Sequence, residues 1–419
     1  MALASELDLP TFDATESSMR GERFHEAMGE LREKGWLAQG PFGYIVLDRE
    51  SGEFFLRTKA AIFPGMKIAE IFGVSEGPLY EQMEHNILQV NGADHSRLRG
   101  LVNPALSPRA VERYRPMMRT FLENLLEESV AAGGDGPGVA CEFVEAFAKP
   151  YPSQVIADVM GAPLEDAPRL HHWSNWIQRQ FDAVSMATEV ELIEQAVEEF
   201  YGYARALLDA RRESPGEDLI SKLIAAEQDG DRLSESECIN LVFNILVGGV
   251  DTSQSQLAHT MRLLAEDPEQ WAALRANPEL ASATVEESLR FEPITPFTAR
   301  ILTEDVVHRD VTFPEGSVVI VCAFTGNRDL DDESSADRFD ITAGERTSGG
   351  RTARPLTFGA GIHYCLGANL ARAELNEALE FFARRLDHLE LDGEPVFEGP
   401  NGIYGLASLP LRFTLASGG

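Results

Sequence analysis

Residues 358–372, Phe-Gly-Ala-Gly-Ile-His-Tyr-Cys-Leu-Gly-Ala-Asn-Leu-Ala-Arg, constrain the fold more than any other stretch of the chain. A glycine-rich loop here presents one cysteine, Cys365, at the mouth of a helix. Beyond it Ala371, Leu375, Ala378, Leu379, Phe382 and Leu386 recur at helical spacing, so that helix has an apolar face to bury. A thiol in this place sits among unpaired N–H groups at the positive end of a helix dipole, and both favour the thiolate. Gly359, Gly361 and Gly367 let a flat, bulky group approach the main chain closely.

A cysteine so placed has three readings: a buried structural thiol, a nucleophile activated by the helix end, or the single protein ligand of a metal group, as in haem held by a thiolate. The spacing separates them. Phe358 stands seven residues before Cys365, Gly361 four before, His363 two before, and Leu366-Gly367 directly after. In this the sequence resembles, without a gap, the haem-binding loop of the cytochrome P-450 superfamily. The resemblance implies that Cys365 ligates iron and that Phe358, Gly359, His363, Leu366 and Gly367 surround the cofactor.

The rest of the chain sets bounds. Its 419 residues hold 44% hydrophobic side chains, enough for a large core. Residues 1–13 lack a basic segment followed by an apolar run, and no apolar stretch reaches membrane-spanning length, so a cytoplasmic protein without a membrane anchor is expected. Cys141, Cys238, Cys322 and Cys365 are scattered with no Cys-x-x-Cys pair, which disfavours disulfides and zinc and makes any haem a non-covalent haem b. A net charge of −32 disfavours nucleic acid and anionic membranes as partners.

Along the chain, an amphipathic helix is expected around Arg23 to Lys34. Tyr44-Ile-Val-Leu and Phe54-Phe-Leu read as a β-hairpin turning at Ser51-Gly52. Helical patterns dominate from there to about residue 290. Strands follow within 306–323, with a turn at Pro314-Glu-Gly, and again near 409–415. The fold class is therefore mainly α with small β-sheets, in one domain spanning 1–419. The resemblance adds a haem lying between a long central helix and the cysteine loop and helix.

That central helix opens on a capping box, Ser234-x-x-Glu237, and runs to about Glu266, where Asp267-Pro268 ends it. Gly248 and Gly249 lie inside it, each costing roughly 1 kcal/mol against alanine, followed by Asp251 and Thr252 where burial is expected. A packing kink with both polar groups satisfied internally is one reading. The other follows from the family's acid–alcohol motif, which Gly248-Gly249-Val250-Asp251-Thr252 is similar to, with glycine in place of the first alanine. It implies a groove for dioxygen on the distal haem face, Thr252 giving a hydrogen bond there and Asp251 relaying protons from water.

Glu287 and Arg290 stand one turn apart and resemble the family's structural Glu-x-x-Arg pair. His95, Arg99, Arg300 and His363 match family positions that hold the haem propionates, buried anions that need such partners. By the same analogy Val247, Ile294, Phe297, Ile403 and Tyr404, the 72–88 loop and helices around 173–186 line an apolar substrate cavity. Two departures stand out. Phe339-Asp340 leads to Ala343 where an arginine is usual, and the longer segment 344–355 carries Arg346, Arg351 and Arg354. That basic insert reads either as a dock for an acidic electron donor, with Arg97, Arg109 and Arg113 on the same face, or as a mobile solvated loop. The resemblance as a whole implies a haem-thiolate monooxygenase that uses O2 on a lipophilic small molecule. Electrons would come from NAD(P)H through a separate reductase and ferredoxin. A haem-thiolate binder or sensor without turnover is the alternative, disfavoured by the acid–alcohol pair.

Overall fold

The computed structural model describes residues 2–132, 138–228 and 233–416. Eleven of its helices position the site: α1 (Gly21–Glu33), α2 (Arg49–Arg57), α3 (Gly92–Val102), α4 (Arg115–Ala132), α5 (Pro150–Met160), α6 (Ala167–Gln178), α7 (Val190–Glu213), α8 (Glu235–Gly249), α9 (Asp251–Glu266), α10 (Ala281–Phe291) and α11 (Ala368–Arg385). Helix α5 packs against α4, α6 and α8, and α11 packs against α4 and α10. Their buried faces, from Phe121 and Tyr151 through Phe200 and Phe243 to Phe382, form one continuous apolar core.

Strands are short. β1 (Leu37–Gln39), β2 (Tyr44–Val46), β3 (Ala61–Ile62), β4 (Val139–Glu142), β5 (Phe297–Leu302), β6 (Val306–His308), β7 (Val311–Phe313), β8 (Val318–Cys322), β9 (Thr347–Ser348), β10 (Arg351–Thr352), β11 (Leu386–Leu391) and β12 (Pro410–Leu415) build four small sheets. The largest has the order β1-β2-β8-β5-β3, with β2 parallel to β8 and the other neighbours antiparallel. The turn at Pro314-Glu-Gly is present, but it joins strands of two sheets, since β7 pairs with β6 and β8 with β2 and β5.

The hairpin expected at Ser51-Gly52 is not there. Phe54, Phe55 and Leu56 lie on helix α2, and the true hairpin is β1–β2, closed by Gly40 N donating to Gly43 O at 2.8 Å. Asp48 decides this. Its carboxylate accepts from the Ser51 backbone N–H and hydroxyl, both at 2.9 Å, so the segment that reads as a turn becomes the first turn of a capped helix. Gly52 is needed there for contact, because a β-carbon would stand 3.0 Å from Val321 of the sheet beneath.

The central helix has its capping box, Glu237 N donating to Ser234 Oγ at 3.2 Å and Ser234 N to Glu237 Oε2 at 2.8 Å. It is not one helix, however. Val250, at φ −97° and ψ −74°, separates α8 from α9. The glycine pair beside the break divides the labour: a β-carbon on Gly249 would strike Ile156 of α5, whereas one on Gly248 would meet nothing within 4 Å.

Candidate active site

Cys365 lies between two short turns and the start of α11, held by its N–H donating to Phe358 O at 2.9 Å. The loop is shaped by left-handed backbone at Gly359 (φ +69°) and Gly361 (φ +73°), and a β-carbon on the latter would collide with Leu56 O at the end of α2. Gly367 is in ordinary backbone, φ −84°, so conformational freedom is not its reason. It passes close to sulfur: its β-carbon would sit 4.0 Å from Cys365 Sγ. Burial pushes the thiol up, against the Gly367 and Ala368 N–H groups and the charges of Arg99 and Arg372. The expected thiolate bias of the helix end is thus present but outweighed by desolvation until positive charge meets the sulfur.

Arg372, one turn along α11, fixes this loop in a way the sequence reading missed. Its guanidinium lies 4.5 Å over the Phe358 ring, donates to Tyr364 Oη at 3.0 Å, and pairs with Glu286 of α10 at 2.5 Å. The signal was its place on the Cys365 face of α11.

Four cationic or protonatable side chains converge beside Cys365. The His95 and His363 rings lie 4.5 Å apart, and the charges of Arg99 and Arg300 both act on His363. Burial and these neighbours pull His363 down to about 3, and burial pulls Arg300 down to about 10. Among the described residues no carboxylate lies within ion-pair reach of Arg99 or Arg300, whose only side-chain bond is to the carbonyl of Ala299 at 2.9 Å. His95 Nε2 and His363 Nδ1 are buried without a partner. In a chain of net charge −32 this is an unfilled demand for a buried anion. A haem carries two such anions and fits the set.

Across the space, Gly248 is open and the Thr252 hydroxyl donates to Gly248 O at 2.7 Å, taking up a carbonyl released by the helix break. Asp251 is buried and turned toward α6, accepting from Ser174 at 2.5 Å and Asn175 at 3.4 Å, with His171 at 4.0 Å. Burial raises its pKa, opposed chiefly by the Ser174 hydrogen bond and then by His171.

Glu287 and Arg290 form a buried two-bond pair at 2.8 and 2.9 Å, with Arg290 also donating to the carbonyls of Ala336 and Arg338 at 2.7 Å. A second arginine joins it. Arg346 donates to Glu287 Oε1 at 2.8 Å. A guanidinium thus reaches Glu287 from three residues beyond Ala343, so Arg346 is not available to the docking surface read into the insert, whereas its other two arginines are. Arg346 is committed to the interior, and the segment is the hairpin β9–β10, its Gly349-Gly350 turn bound by Asp331 at 2.7 and 3.0 Å. Arg351, Arg354, Arg109 and Arg113 stay exposed, whereas Arg97 pairs with Glu237 at 2.5 Å.

The residues read as cavity lining are not all alike. Val247 and Ile294 are buried, and Phe297 and Ile403 are half-buried. Tyr404 does not line a cavity: it is fully buried among Phe24, His259 and Phe397, and its Oη accepts from Gly21 N at 3.0 Å. Trp173 likewise faces α7, against Phe200 and Tyr203, with its indole N–H on Glu199 at 3.0 Å.

The sequence profile of the cytochrome P-450 family matches residues 76–415. The chain belongs to that family. Among P-450 relatives it is 34% identical to luteothin monooxygenase of Streptomyces thioluteus over 413 residues, covering 98% of this chain and 97% of that protein. It is 36% identical to mycinamicin IV hydroxylase/epoxidase of Micromonospora griseorubida, over 74% of this chain and 75% of the relative. The crystal structure of CalO2 superimposes with a TM-score of 0.87 at 29% identity, covering 97% of this chain and 99% of the other. The chain is thus a cytochrome P-450 monooxygenase of bacterial type, a family that uses a haem-thiolate centre, O2, a small-molecule substrate and redox partners. Among the described residues no helix is long and apolar enough to cross a membrane.

Proposed function

We propose that this P-450, as one domain, inserts an oxygen atom from O2 into a C–H bond of a lipophilic small molecule, with Cys365 the single protein ligand of a non-covalent haem b. The observation that carries this reading is the cluster of His95, Arg99, Arg300 and His363 beside Cys365, the first and third buried and the other two half-buried, with no carboxylate among the described residues in ion-pair reach of either arginine. Haem, when bound, supplies the iron at which O2 is activated.

The protein's own part is positional. Arg372 and Glu286 tie the Cys365 loop to α10, and the four-residue cluster would hold the propionates. Gly248 leaves room beside Thr252 that would admit a diatomic molecule. Thr252 holds its proton at Oγ1, shared with Gly248 O in this structure, and offers a hydrogen bond into that room. Asp251 brings protons from the α6 side. Val247, Ile294, Phe297 and Ile403 supply apolar contacts that fix a substrate by shape. Electrons come from NAD(P)H through a separate reductase and ferredoxin in the cytoplasm, the donor meeting exposed arginines near the cysteine loop.

The deciding experiment is the reduced, carbon-monoxide spectrum of purified holoprotein. A thiolate-type Soret band that Cys365→Ser abolishes is the expected result; a nitrogen-type band in the unsubstituted protein would remove the reading. Thr252→Ala should then keep haem and substrate binding while diverting NAD(P)H electrons into hydrogen peroxide.

A further inference from the structure

Helix α6 carries a polar stripe, His171, Ser174, Asn175 and Gln178, at spacings of three and four that share one face. Every member touches the central helix at its break. Gln178 donates to Val247 O, Ser174 and Asn175 donate to the Asp251 carboxylate, and His171 Nε2 lies 2.9 Å from Gln254 Oε1 and 4.0 Å from Asp251 Oδ1. Only one of the groups around Asp251 on this stripe has a ring that can both take up and give a proton, and it reaches water. The His171 side chain is 20% exposed, against 6% for Asp251. With Gln254 Oε1 as acceptor, Nε2 carries a hydrogen and Nδ1 keeps its lone pair.

We propose that His171 is the group through which protons pass from solvent to Asp251, with Ser174 and Asn175 as positioning residues that fix the accepting carboxylate. The step moves one proton and no electrons. Nδ1 takes a proton from water, the Nε2 proton goes to Asp251 Oδ1, and a ring flip restores the starting tautomer. Closing the 4.0 Å gap to hydrogen-bond length takes about 1 Å of side-chain movement or one bridging water, within the looseness usual before substrates assemble. The other titratable group facing Asp251 is Glu398, on the connection between strands Val396–Phe397 and Leu406–Ser408; it is itself under the charges of Arg179, Lys149 and Arg20. A second carboxylate repels the first, whereas an imidazolium attracts it, which is why His171 is the better inlet. This rests on the reading of Asp251 as a proton relay.

Two measurements on holoprotein test it. Histidine NMR in the reduced, carbon-monoxide-bound form, with His171→Gln for assignment, gives the His171 titration midpoint. Asp251→Asn should lower that midpoint by about one pH unit, since a neighbouring carboxylate no longer favours the imidazolium. An unmoved midpoint overturns the proposal. The second measurement is NADH oxidation through a surrogate ferredoxin and reductase in H2O and D2O, with no added substrate. His171→Gln should slow it about tenfold and enlarge the solvent isotope effect, with the thiolate Soret band intact, while His172→Gln changes neither. If Asp251→Asn slows oxidation but His171→Gln does not, or Glu398→Gln does instead, the inlet is elsewhere and the proposal fails while the Asp251 reading stands. If Asp251→Asn itself leaves the rate and isotope effect untouched, the reading of Asp251 fails with it.

Discussion

Glu374 shows how much a single side chain reveals only in three dimensions. It sits nine residues beyond Cys365 on α11, 1% exposed, with no cation paired to it and only the Ser253 hydroxyl nearby to offset its burial, while Glu377 one turn on is matched by Arg115 and Arg119. Desolvation pushes it from 4.5 to about 8. Because the folded value is raised, its protonated form contributes stability in full below pH 4.5, and that contribution is lost as pH rises through about 8. Glu374→Gln should therefore raise the thermal unfolding midpoint at pH 8 and leave it unchanged at pH 4.5; calorimetry at the two pH values checks this. Cys365, His363, Asp251 and Thr252 stood out in the sequence because they match motifs of fixed residue type at fixed spacing. Glu374 and Arg372 were not, since one buried acid and one cation on an amphipathic helix look like any surface pair.

Elements were read well where a local signal agreed with the tertiary outcome and badly where two local signals competed. Ser234-x-x-Glu237 opens its helix as expected, whereas Asp48 overrode Ser51-Gly52 and turned an anticipated hairpin into α2. The break between α8 and α9 was visible only as two expensive glycines, and their separate uses come from the packing. Gly249→Ala should destabilise the protein by about 1–3 kcal/mol through the clash with Ile156, measured by denaturant unfolding. Gly248→Ala should fold normally, yet place a methyl in the open groove and slow carbon-monoxide binding. The β9–β10 hairpin carries its own prediction. Arg346→Ala leaves the buried Arg290–Glu287 pair short of a charge partner, so haem content after purification should fall several-fold; Ala343→Arg added to it should restore part of the loss, read from haem absorbance per protein.

For the molecule as a whole, the charge distribution is the unusual quantity. Sixty-eight acidic residues against thirty-six basic ones leave the surface strongly negative, yet four cationic or protonatable groups are gathered beside one thiol with no carboxylate among the described residues paired to either arginine. Haem loading should thus stabilise the fold through its carboxylates as well as its iron. Reconstitution with iron protoporphyrin dimethyl ester, which lacks those charges, should bind at least tenfold more weakly than haem, as judged by titration of the Soret band. Composition and periodicity foretold a helical molecule with small sheets, but not that the basic insert would send one arginine inward. In this chain a guanidinium launched from a strand-and-turn outside the core arrives at a carboxylate inside it. Anyone grafting a foreign segment ahead of the cysteine has to preserve that delivery of charge to Glu287.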